Sequence, residues 1–387
     1  MKKIVALVVV LALCLTAVAS LADPIAKEDI KIGVILLHDE DSGYDLNFIN
    51  AVNEAAAELG LSEDQIIIER NVDESNDCYE KAIGLADEGC AFVFSDSYGH
   101  SSYMREAALA RPDCDFISGT GDTAALDGVA NFHNAFAAIY QGRFLAGIAA
   151  GMKLNEMKAN GQLKGEVPTI GYVSAFSYAE MISGYTGFYL GAKYVCPDVV
   201  MKVTQTGEWL HYDKEYNGAK ALIAAGCDLI SEHADSMGCP TACEEAGVVN
   251  VAYNGSTLDE CPNTFLIASR IDWSAFFVYA VNQKMKGEAL ATDWAGDLES
   301  GCVKLTELNE AIAAEGTAAA IEEAKAKLIA GELHVFDTSA FTVNGEAVTT
   351  CTVNDQEVVS DGYFHESEVR SAPYFSLMID GIEMLVD

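Results

Sequence analysis

The chain has 387 residues; half of them are apolar, 59 are acidic and 23 are basic. This length exceeds a single typical core and predicts two domains, while the formal charge of −36 excludes nucleic acids and other polyphosphates as partners. No block of like charges marks a dedicated acidic tail, so the excess acid by itself indicates only a soluble surface.

The N-terminus has the pattern of a secretory leader. Met1–Lys3 is basic, Ile4–Ala19 is almost uninterrupted Val, Leu and Ala, and Ala17–Ala19 or Ser20–Ala22 offers a small-x-small cleavage site. A membrane anchor is the alternative, but the run is at the short end of the roughly 20 residues that span a bilayer. We therefore predict a signal peptide over residues 1–22 and an exported protein, in the periplasm or at the cell surface.

A first series of short β-rich runs recurs with helical patterns between its members. The runs are Ile30–Leu37, Ile66–Glu69, Ala91–Phe94 and Asp115–Ser118. Between the first two, apolar residues from Ile49 to Leu59 repeat at helical spacing and Gly60 ends the helix. This alternation predicts parallel βαβ units and an N-terminal α/β lobe over residues 23–135.

A second series begins after a helical pattern over Tyr140–Met152. Its runs are Thr169–Val173, Val199–Val203, Leu229–Ile230, Val248–Ala252 and Thr264–Ala268. They predict a C-terminal α/β lobe of similar build over residues 136–271. Because several connections would join the two lobes, we expect a hinge and a cleft between them.

The remaining sequence changes character twice. Trp273–Met285 has a helical pattern, and we expect residues 272–300 to return to the first lobe. Glu307–Ala330 is rich in Ala and Glu and also predicts a helix, and Phe341–Gly345 resembles a small hairpin. Residues 301–387 are therefore predicted as a C-terminal helix and hairpin extension that packs across the lobes.

Ten cysteines follow the leader, an even number that permits disulfides in an exported protein. Cys90 and Cys114 each precede a buried-looking strand, and adjacent parallel strands would bring them within bridging range, so we treat this pair as a hypothetical disulfide. Cys239 and Cys243 have a spacing found in metal sites, but no matching Cys or His pair follows. We expect no metal and no cofactor.

Ligands of open parallel sheets bind outside the carboxyl ends of the strands, so the residues there are the candidate site. The first such loop, from His38 to Asp45, contains Asp39 and delivers Tyr44 and Asp45 to the start of a helix. An aromatic ring can stack on a planar ligand, and a carboxylate can accept hydrogen bonds from its donors. The alternative is a helix cap by Ser42, with Tyr44 as part of the core.

The second lobe offers an aromatic at a corresponding position. Trp209 follows the run that ends near Val203, and two aromatics at strand ends of two lobes favour recognition over packing. Other strand ends supply polar or aromatic side chains, each of which could equally be a cap, a salt bridge or a hinge contact. These are Asp235, Asn254, Arg270, Asp272 and Trp273.

Ser97 lies in a loop that resembles a nucleophile elbow, except that Ser95 replaces the first glycine. A serine hydrolase using Ser97 is therefore an alternative, although none of the seven histidines has a recognisable hydrolase context. Contact of this loop with a neutral ligand is the favoured interpretation. The Gly119–Ala124 segment mimics a dinucleotide fingerprint but follows a late strand and does not enter a helix.

From Ile30 to about Phe277 the chain resembles the basic membrane protein family of solute-binding proteins, in the branch that captures purine nucleosides or nucleobases. The motifs that carry this resemblance are His38-Asp39, Tyr44-Asp45, Ser95–Gly99, Arg111–Phe116, Tyr140–Gly151, Gly171–Ala175, Gly207–Trp209 and Arg270–Trp273. The resemblance implies a two-lobed type I periplasmic-binding-protein fold, each lobe a parallel sheet flanked by helices, with the ligand in the interlobe cleft.

The resemblance also implies how the protein works. A purine would be held between Tyr44 and Trp209, for uptake by the permease and ATPase subunits of an ABC transporter, without catalysis. Members commonly have Phe-Asn where this chain has Tyr44-Asp45, an acidic residue near Asn254, and, when they bind nucleosides, a Lys near Ser269. Base and nucleoside therefore both stay open. We expect a monomer, and a sugar or small-signal receptor of the same fold is the alternative.

Overall fold

The structure is a computed structural model that describes residues 23–385, and the predicted leader lies outside these residues. The helices are α1 (Gly43–Leu59), α2 (Asn76–Asp87), α3 (Ser101–Ala110), α4 (Ala124–Asp127), α5 (Ile139–Ala159), α6 (Ala179–Val195), α7 (Tyr212–Ala224), α8 (Gly238–Ala246), α9 (Ser274–Lys286) and α10 (Thr317–Ile329). The strands of the two large sheets are β1 (Ile32–Ile35), β2 (Ile66–Glu69), β3 (Phe92–Ser95), β4 (Asp115–Gly119), β5 (Phe132–Ala137), β6 (Thr169–Ser174), β7 (Val200–Gln205), β8 (Leu229–His233), β9 (Val249–Tyr253), β10 (Phe265–Ile271), β11 (Asp293–Gly296), β12 (Val303–Leu305) and β19 (Ile382–Met384). Three two-stranded hairpins lie between α10 and β19: β13 (Thr342–Val343) with β14 (Glu346–Ala347), β15 (Thr352–Val353) with β16 (Gln356–Glu357), and β17 (Val359–Ser360) with β18 (Tyr363–Phe364).

The first lobe is built on a six-stranded parallel sheet with the order β11-β5-β4-β3-β1-β2. β1 lies inside it, with Ile32 opposite both Ile66 and Phe92. Its continuous apolar run reflects burial on both faces, as expected for a parallel strand covered by helices. The predicted α/β fold class is confirmed.

The second lobe has a seven-stranded sheet with the order β12-β10-β9-β8-β6-β7-β19. All neighbours in it are parallel except β12, which runs antiparallel to β10. Helices α5 and α6 cover this sheet and approach each other closely. A Cβ added at Gly191 would lie 1.9 Å from the carbonyl oxygen of Phe144, so only glycine fits there.

Three connections join the lobes. The chain passes from β5 into α5, from β10 into α9, and from β11 into β12. Residues 272–300 contain α9, which packs on α1, and β11, which pairs with β5 in the first sheet. The strands β12 and β19, which belong to the segment predicted as an extension, complete the second sheet at its two edges.

Two details of the C-terminal region differ from the prediction. The helix expected over 307–330 begins only at Thr317, because Gly316 adopts a left-handed conformation (φ 83°) that interrupts the helical backbone. The hairpin near Phe341 is confirmed: β13 and β14 pair across Asn344 and Gly345, which both have positive φ as a two-residue hairpin turn requires.

The cysteines of the described residues are free thiols, and all but Cys351 are buried. The hypothetical bridge between Cys90 and Cys114 is not formed; the Sγ of Cys114 instead lies 3.3 Å from the carbonyl oxygen of Cys90. Cys239 contacts the buried Glu232 carboxyl at 3.3 Å. Within residues 23–385, none of the helices is long and apolar enough to cross a membrane.

Candidate ligand-binding site

The carboxyl ends of the two sheets border a common cavity between the lobes. Counting its opening to solvent, the space between the lining side chains is about 430 Å³. Its lining residues are Leu37, His38, Tyr44, Asp45, Asp96, Ser97, Tyr98 and Thr120 from the first lobe, and Glu180, Trp209, His233, Asp235 and Tyr253 from the second. A backbone hydrogen bond joins the lobes beside it, from the Gly43 N–H to the Asp235 carbonyl oxygen at 3.2 Å.

Tyr44 is held in place at the first turn of α1. Ser42 caps this helix by accepting a hydrogen bond from the Asp45 N–H at 3.2 Å. The Tyr44 hydroxyl donates to the carbonyl oxygen of Asp96 at 2.7 Å, and its ring packs edge-on against Phe48. Because both ends of the side chain are fixed, the ring reaches the cavity in one orientation. Burial raises the pKa of Tyr44 well above its usual value, so the hydroxyl stays a donor.

Trp209 is half-buried in the loop after β7 and lines the cavity from the opposite lobe. Its ring packs edge-on against Phe176, with centroids 4.7 Å apart. Its backbone carbonyl accepts a hydrogen bond from the Asp235 N–H at 3.0 Å, which fixes the loop to the end of β8. Two aromatic rings, one from each lobe, thus border one cavity.

Asp45 and Asp96 form a pair of buried carboxyls that ionise differently. Burial opposes the charge of Asp45, but hydrogen bonds from His38 and Ser42 outweigh it and lower the pKa of Asp45. Burial and the neighbouring charge of Asp45 raise the pKa of Asp96 well above its usual value. The pKa values of the two carboxyls are therefore shifted in opposite directions, so Asp45 loses its proton before Asp96 as the pH rises.

Several polar groups of the lining have no partner within the protein. The Oδ2 of Asp96, the Oγ1 of Thr120 and the Nδ1 of His233 are buried and unpartnered in the described structure. Thr120 also has a φ of 64°, which is strained for a β-branched residue. Unpartnered polar atoms and local strain both concentrate at sites that bind a ligand.

Five of the ten predicted site residues line the cavity: Tyr44, Asp45, Ser97, Trp209 and Asp235. The Ser97 hydroxyl donates to Glu74, and the nearby His100 is bonded to the carbonyl oxygen of Val72 at 2.9 Å. Among the described residues, Ser97 is therefore hydrogen-bonded to a carboxyl and not to a histidine.

The other five predicted residues lie elsewhere, and each has a different structural role. Trp273 is fully buried in the core and stacks on Phe48 at 4.7 Å. Asp272 accepts a hydrogen bond from the Ser274 N–H at the start of α9 at 3.0 Å and pairs with Lys304.

Asp39 accepts hydrogen bonds from the Asp41 N–H and the Asn71 side chain, both at 3.1 Å, outside the cavity lining. Arg270 and Asn254 line an adjoining groove beside α1, which shares Asp235 and Tyr253 with the cavity. Asn254 acts indirectly on the cavity, because its side chain donates to the Asp235 carboxyl at 3.3 Å.

Residues that the sequence analysis did not single out complete the second-lobe wall. His233 packs against the Tyr253 ring with centroids 4.6 Å apart, and burial lowers its pKa, so the imidazole is neutral. The guanidinium of the fully buried Arg143 lies 3.4 Å from the Tyr253 ring centroid, a cation–π contact behind the cavity wall. His233 and Tyr253 end strands β8 and β9, so the strand-end rule could have found them, whereas nothing in the local sequence marks Arg143.

This fold and cavity define the class. Two α/β lobes with a cavity between their strand ends are a type I periplasmic-binding-protein fold, the architecture of solute receptors of ABC transporters. The sequence model of the PnrA-like ABC transporter substrate-binding proteins, the basic membrane protein family, matches residues 32–339. The chain belongs to this family, as its motifs predicted, and the family consists of solute-binding proteins rather than enzymes.

Two relatives are named for the solutes that they bind. A purine-binding protein of Brucella abortus (strain 2308) is 26% identical over 80% of this chain and 84% of that protein. A putative ABC transporter glucose-binding protein of Haloferax volcanii is 30% identical over 64% of this chain and 60% of that protein.

Solved structures share the fold at low sequence identity. An ABC transporter solute-binding protein from Conexibacter woesei has a TM-score of 0.63 at 19% identity and covers 79% of this chain and 98% of its own. One from Aeropyrum pernix K1 has a TM-score of 0.64 at 17% identity, with 79% and 93% covered. At these identities, the two structures support the type I fold and nothing more specific.

Proposed function

We propose that this protein is an exported receptor that captures a purine nucleobase or nucleoside between Tyr44 and Trp209 and delivers it to the permease and ATPase of an ABC transporter. The observation that carries the proposal is the pair of rings from opposite lobes bordering one cavity. The purine-binding relative, which aligns over most of both chains, supports the same ligand class.

The electrostatics of the cavity favour a ligand without negative charge. Among the described residues that line it there is no Lys or Arg, whereas Asp45, Asp96, Asp235 and Glu180 supply carboxyl groups. Burial raises the pKa of Asp235 well above its usual value, which favours the protonated form of this carboxyl. A purine presents both N–H donors and ring-nitrogen acceptors, which suits a mixture of neutral and ionised carboxyls.

A sugar receptor of the same fold is the second candidate. The relative named as glucose-binding supports it, and aromatic rings with carboxyl groups also suit sugars. The two candidates differ in ligand shape: a planar base fills the space between two rings, whereas a sugar uses chiefly the carboxyl groups.

Isothermal titration of the purified mature chain with adenine, guanine, adenosine, guanosine, inosine, glucose and ribose tests the proposal. A base of about ten non-hydrogen atoms, each contributing about 0.8 kcal/mol, would bind with a Kd near 1 μM. We expect at least one purine compound to bind at about this strength or more tightly. Binding of a sugar with no response to any purine would contradict the proposal and establish the second candidate.

A further inference from the structure

Residues 365–375, which we call the C-terminal strap, lie beyond the matched family region and are tied together at their two ends. The buried Glu366 carboxyl accepts hydrogen bonds from the Tyr374 N–H at 3.1 Å and from the Phe375 N–H at 2.9 Å. The Tyr374 hydroxyl accepts in turn from the Glu368 N–H at 3.1 Å. Because these bonds join the start of the segment to its end, the strap is a compact loop with a defined base and a defined tip.

The base of the strap is fixed to the second lobe. The Ser183 hydroxyl of α6 donates to the Glu366 carboxyl at 2.8 Å, and the Tyr140 hydroxyl of α5 donates to the Glu366 carbonyl oxygen at 3.2 Å. Phe375 is fully buried and stacks on Phe336 with ring centroids 4.2 Å apart. Since α5 and α6 both cover the second sheet, the strap moves with the second lobe.

The tip of the strap contacts the first lobe. The Arg370 guanidinium donates to the Asp122 carboxylate at 2.9 Å, and the Ser371 N–H donates to the Asp293 carboxyl of β11 at 3.1 Å. Arg370 also donates to two carbonyl oxygens of the strap itself, both at 3.2 Å, which hold the guanidinium in position. The Arg370 and Asp122 side chains are only 18% and 23% exposed, so water screens their charge-assisted bond incompletely.

The Arg370–Asp122 bond lies beside the cleft between the lobes. Asp122 belongs to the loop after β4, and Thr120 of the same loop lines the cavity. Arg370 and Asp122 border a space that also separates Tyr98 of the first lobe from Tyr178 of the second, whose ring centroids are 6.1 Å apart. When the lobes part, the loop after β4 moves away from α5 and α6, and the bond between the strap and this loop breaks.

We infer that the C-terminal strap is an interlobe latch, in which the Arg370–Asp122 bond holds the two lobes together in the ligand-free protein. A charge-assisted hydrogen bond that is made in only one of two states changes their ratio by about tenfold. Loss of the bond should therefore shift the protein from closed to open molecules by this factor. The inference goes beyond the proposed function, because it concerns the movement of the lobes and is independent of which solute binds.

Small-angle X-ray scattering of the purified mature chain, freed of ligand by exhaustive dialysis, tests the latch. Arg370→Met should increase the radius of gyration, because open molecules are more extended than closed ones. Arg111→Met is the matched control and should leave the radius unchanged. Its side chain is similarly exposed (23%) and pairs with Asp113 at 2.9 Å, but both residues lie in the first lobe.

A second variant breaks the same bond from the opposite side. Asp122→Ala leaves the strap untouched and should increase the radius of gyration as much as Arg370→Met does. Hydrogen exchange at the Glu368 and Phe375 N–H groups, which are bonded within the strap, should stay slow in both variants and show that the strap is folded.

The double variant completes the test. Because both substitutions remove one bond, Arg370→Met with Asp122→Ala should open the protein no further than either substitution alone. The inference is overturned if either single variant keeps the wild-type radius of gyration, or if the two effects add in the double variant. The measurement uses no ligand, so its failure is distinguishable from a failure of the protein to bind purines.

Discussion

Replacing Trp209 by Ala removes one of the two rings that border the cavity. A buried Trp side chain covers about 150–250 Å², so one face against a ligand amounts to about 70 Å². At about 25 cal/mol per Å² this area contributes about 2 kcal/mol, and the stacking geometry adds about 1 kcal/mol. The sum of about 3 kcal/mol corresponds to about a hundredfold loss of affinity for the purine. The fold should persist, because the hydrogen bond that fixes this loop uses the backbone carbonyl of Trp209.

Calorimetric titration with the purine identified by the ligand screen measures this loss. Trp294→Ala is the control: this residue is also half-buried, but it packs on Phe276 and Tyr279 away from the cavity. Trp209→Phe keeps a smaller ring and should lose less than tenfold. If Trp209→Ala binds within twofold of the wild type, or if Trp294→Ala weakens binding equally, the ring-pair reasoning is wrong.

Three further predictions concern other features of the structure. Trp273→Ala should lower the free energy of unfolding in urea by about 3–5 kcal/mol, because this fully buried ring would leave a cavity; a loss below about 1 kcal/mol would contradict its core role. Thr120→Gly should relieve about 1–2 kcal/mol of backbone strain, offset by about 0.5–1 kcal/mol of glycine entropy. It should nevertheless weaken ligand binding by about tenfold, because the Thr120 hydroxyl is lost. A marked loss of stability would contradict the predicted balance between strain and entropy. Burial raises the pKa of Glu366 from 4.5 to about 7, so the folded state retains the proton longer and stability falls as the pH rises through this window. The full shift corresponds to about 3 kcal/mol. Thermal unfolding between pH 4 and pH 8 should therefore show a flatter pH dependence for Glu366→Gln than for the wild type. An unchanged slope would contradict the raised pKa of Glu366.

The regular parts of the fold were predictable from sequence because a parallel strand that is buried on both faces consists of a run of apolar residues. β1, β3, β4, β6 and β8 to β10 follow this rule, whereas β2 and β7 are only partly buried. β5 was missed because His133 and Asn134 interrupt its apolar pattern; both are buried in the sheet and hydrogen-bonded there, His133 to Asp115 and Asn134 to the Ala124 N–H. Such buried polar residues depend on partners distant in sequence, which a local pattern does not contain.

The sequence predicted which strand ends could supply the candidate site, but not which way the side chains there point. The strand-end rule places Tyr44 and Trp273 equally well, yet Tyr44 lies at the cavity and Trp273 lies in the core. Which way a side chain points depends on the packing of helix α9 against α1, which no short sequence window specifies. The hydrogen bond between Arg370 and Asp122 could not be predicted for a similar reason, because the two residues lie 248 positions apart in the chain.

The pairing of β19 with β7 has a consequence for how the molecule is produced. Ile382 lies opposite Met201, so this edge of the second sheet closes between segments 181 residues apart (382 − 201). Contacts of such long range form slowly, and until they form the edge of β7 offers unpaired backbone groups to other chains. Recombinant fragments trimmed to the matched family region would keep that edge open permanently, and we expect them to self-associate where the longer chain does not.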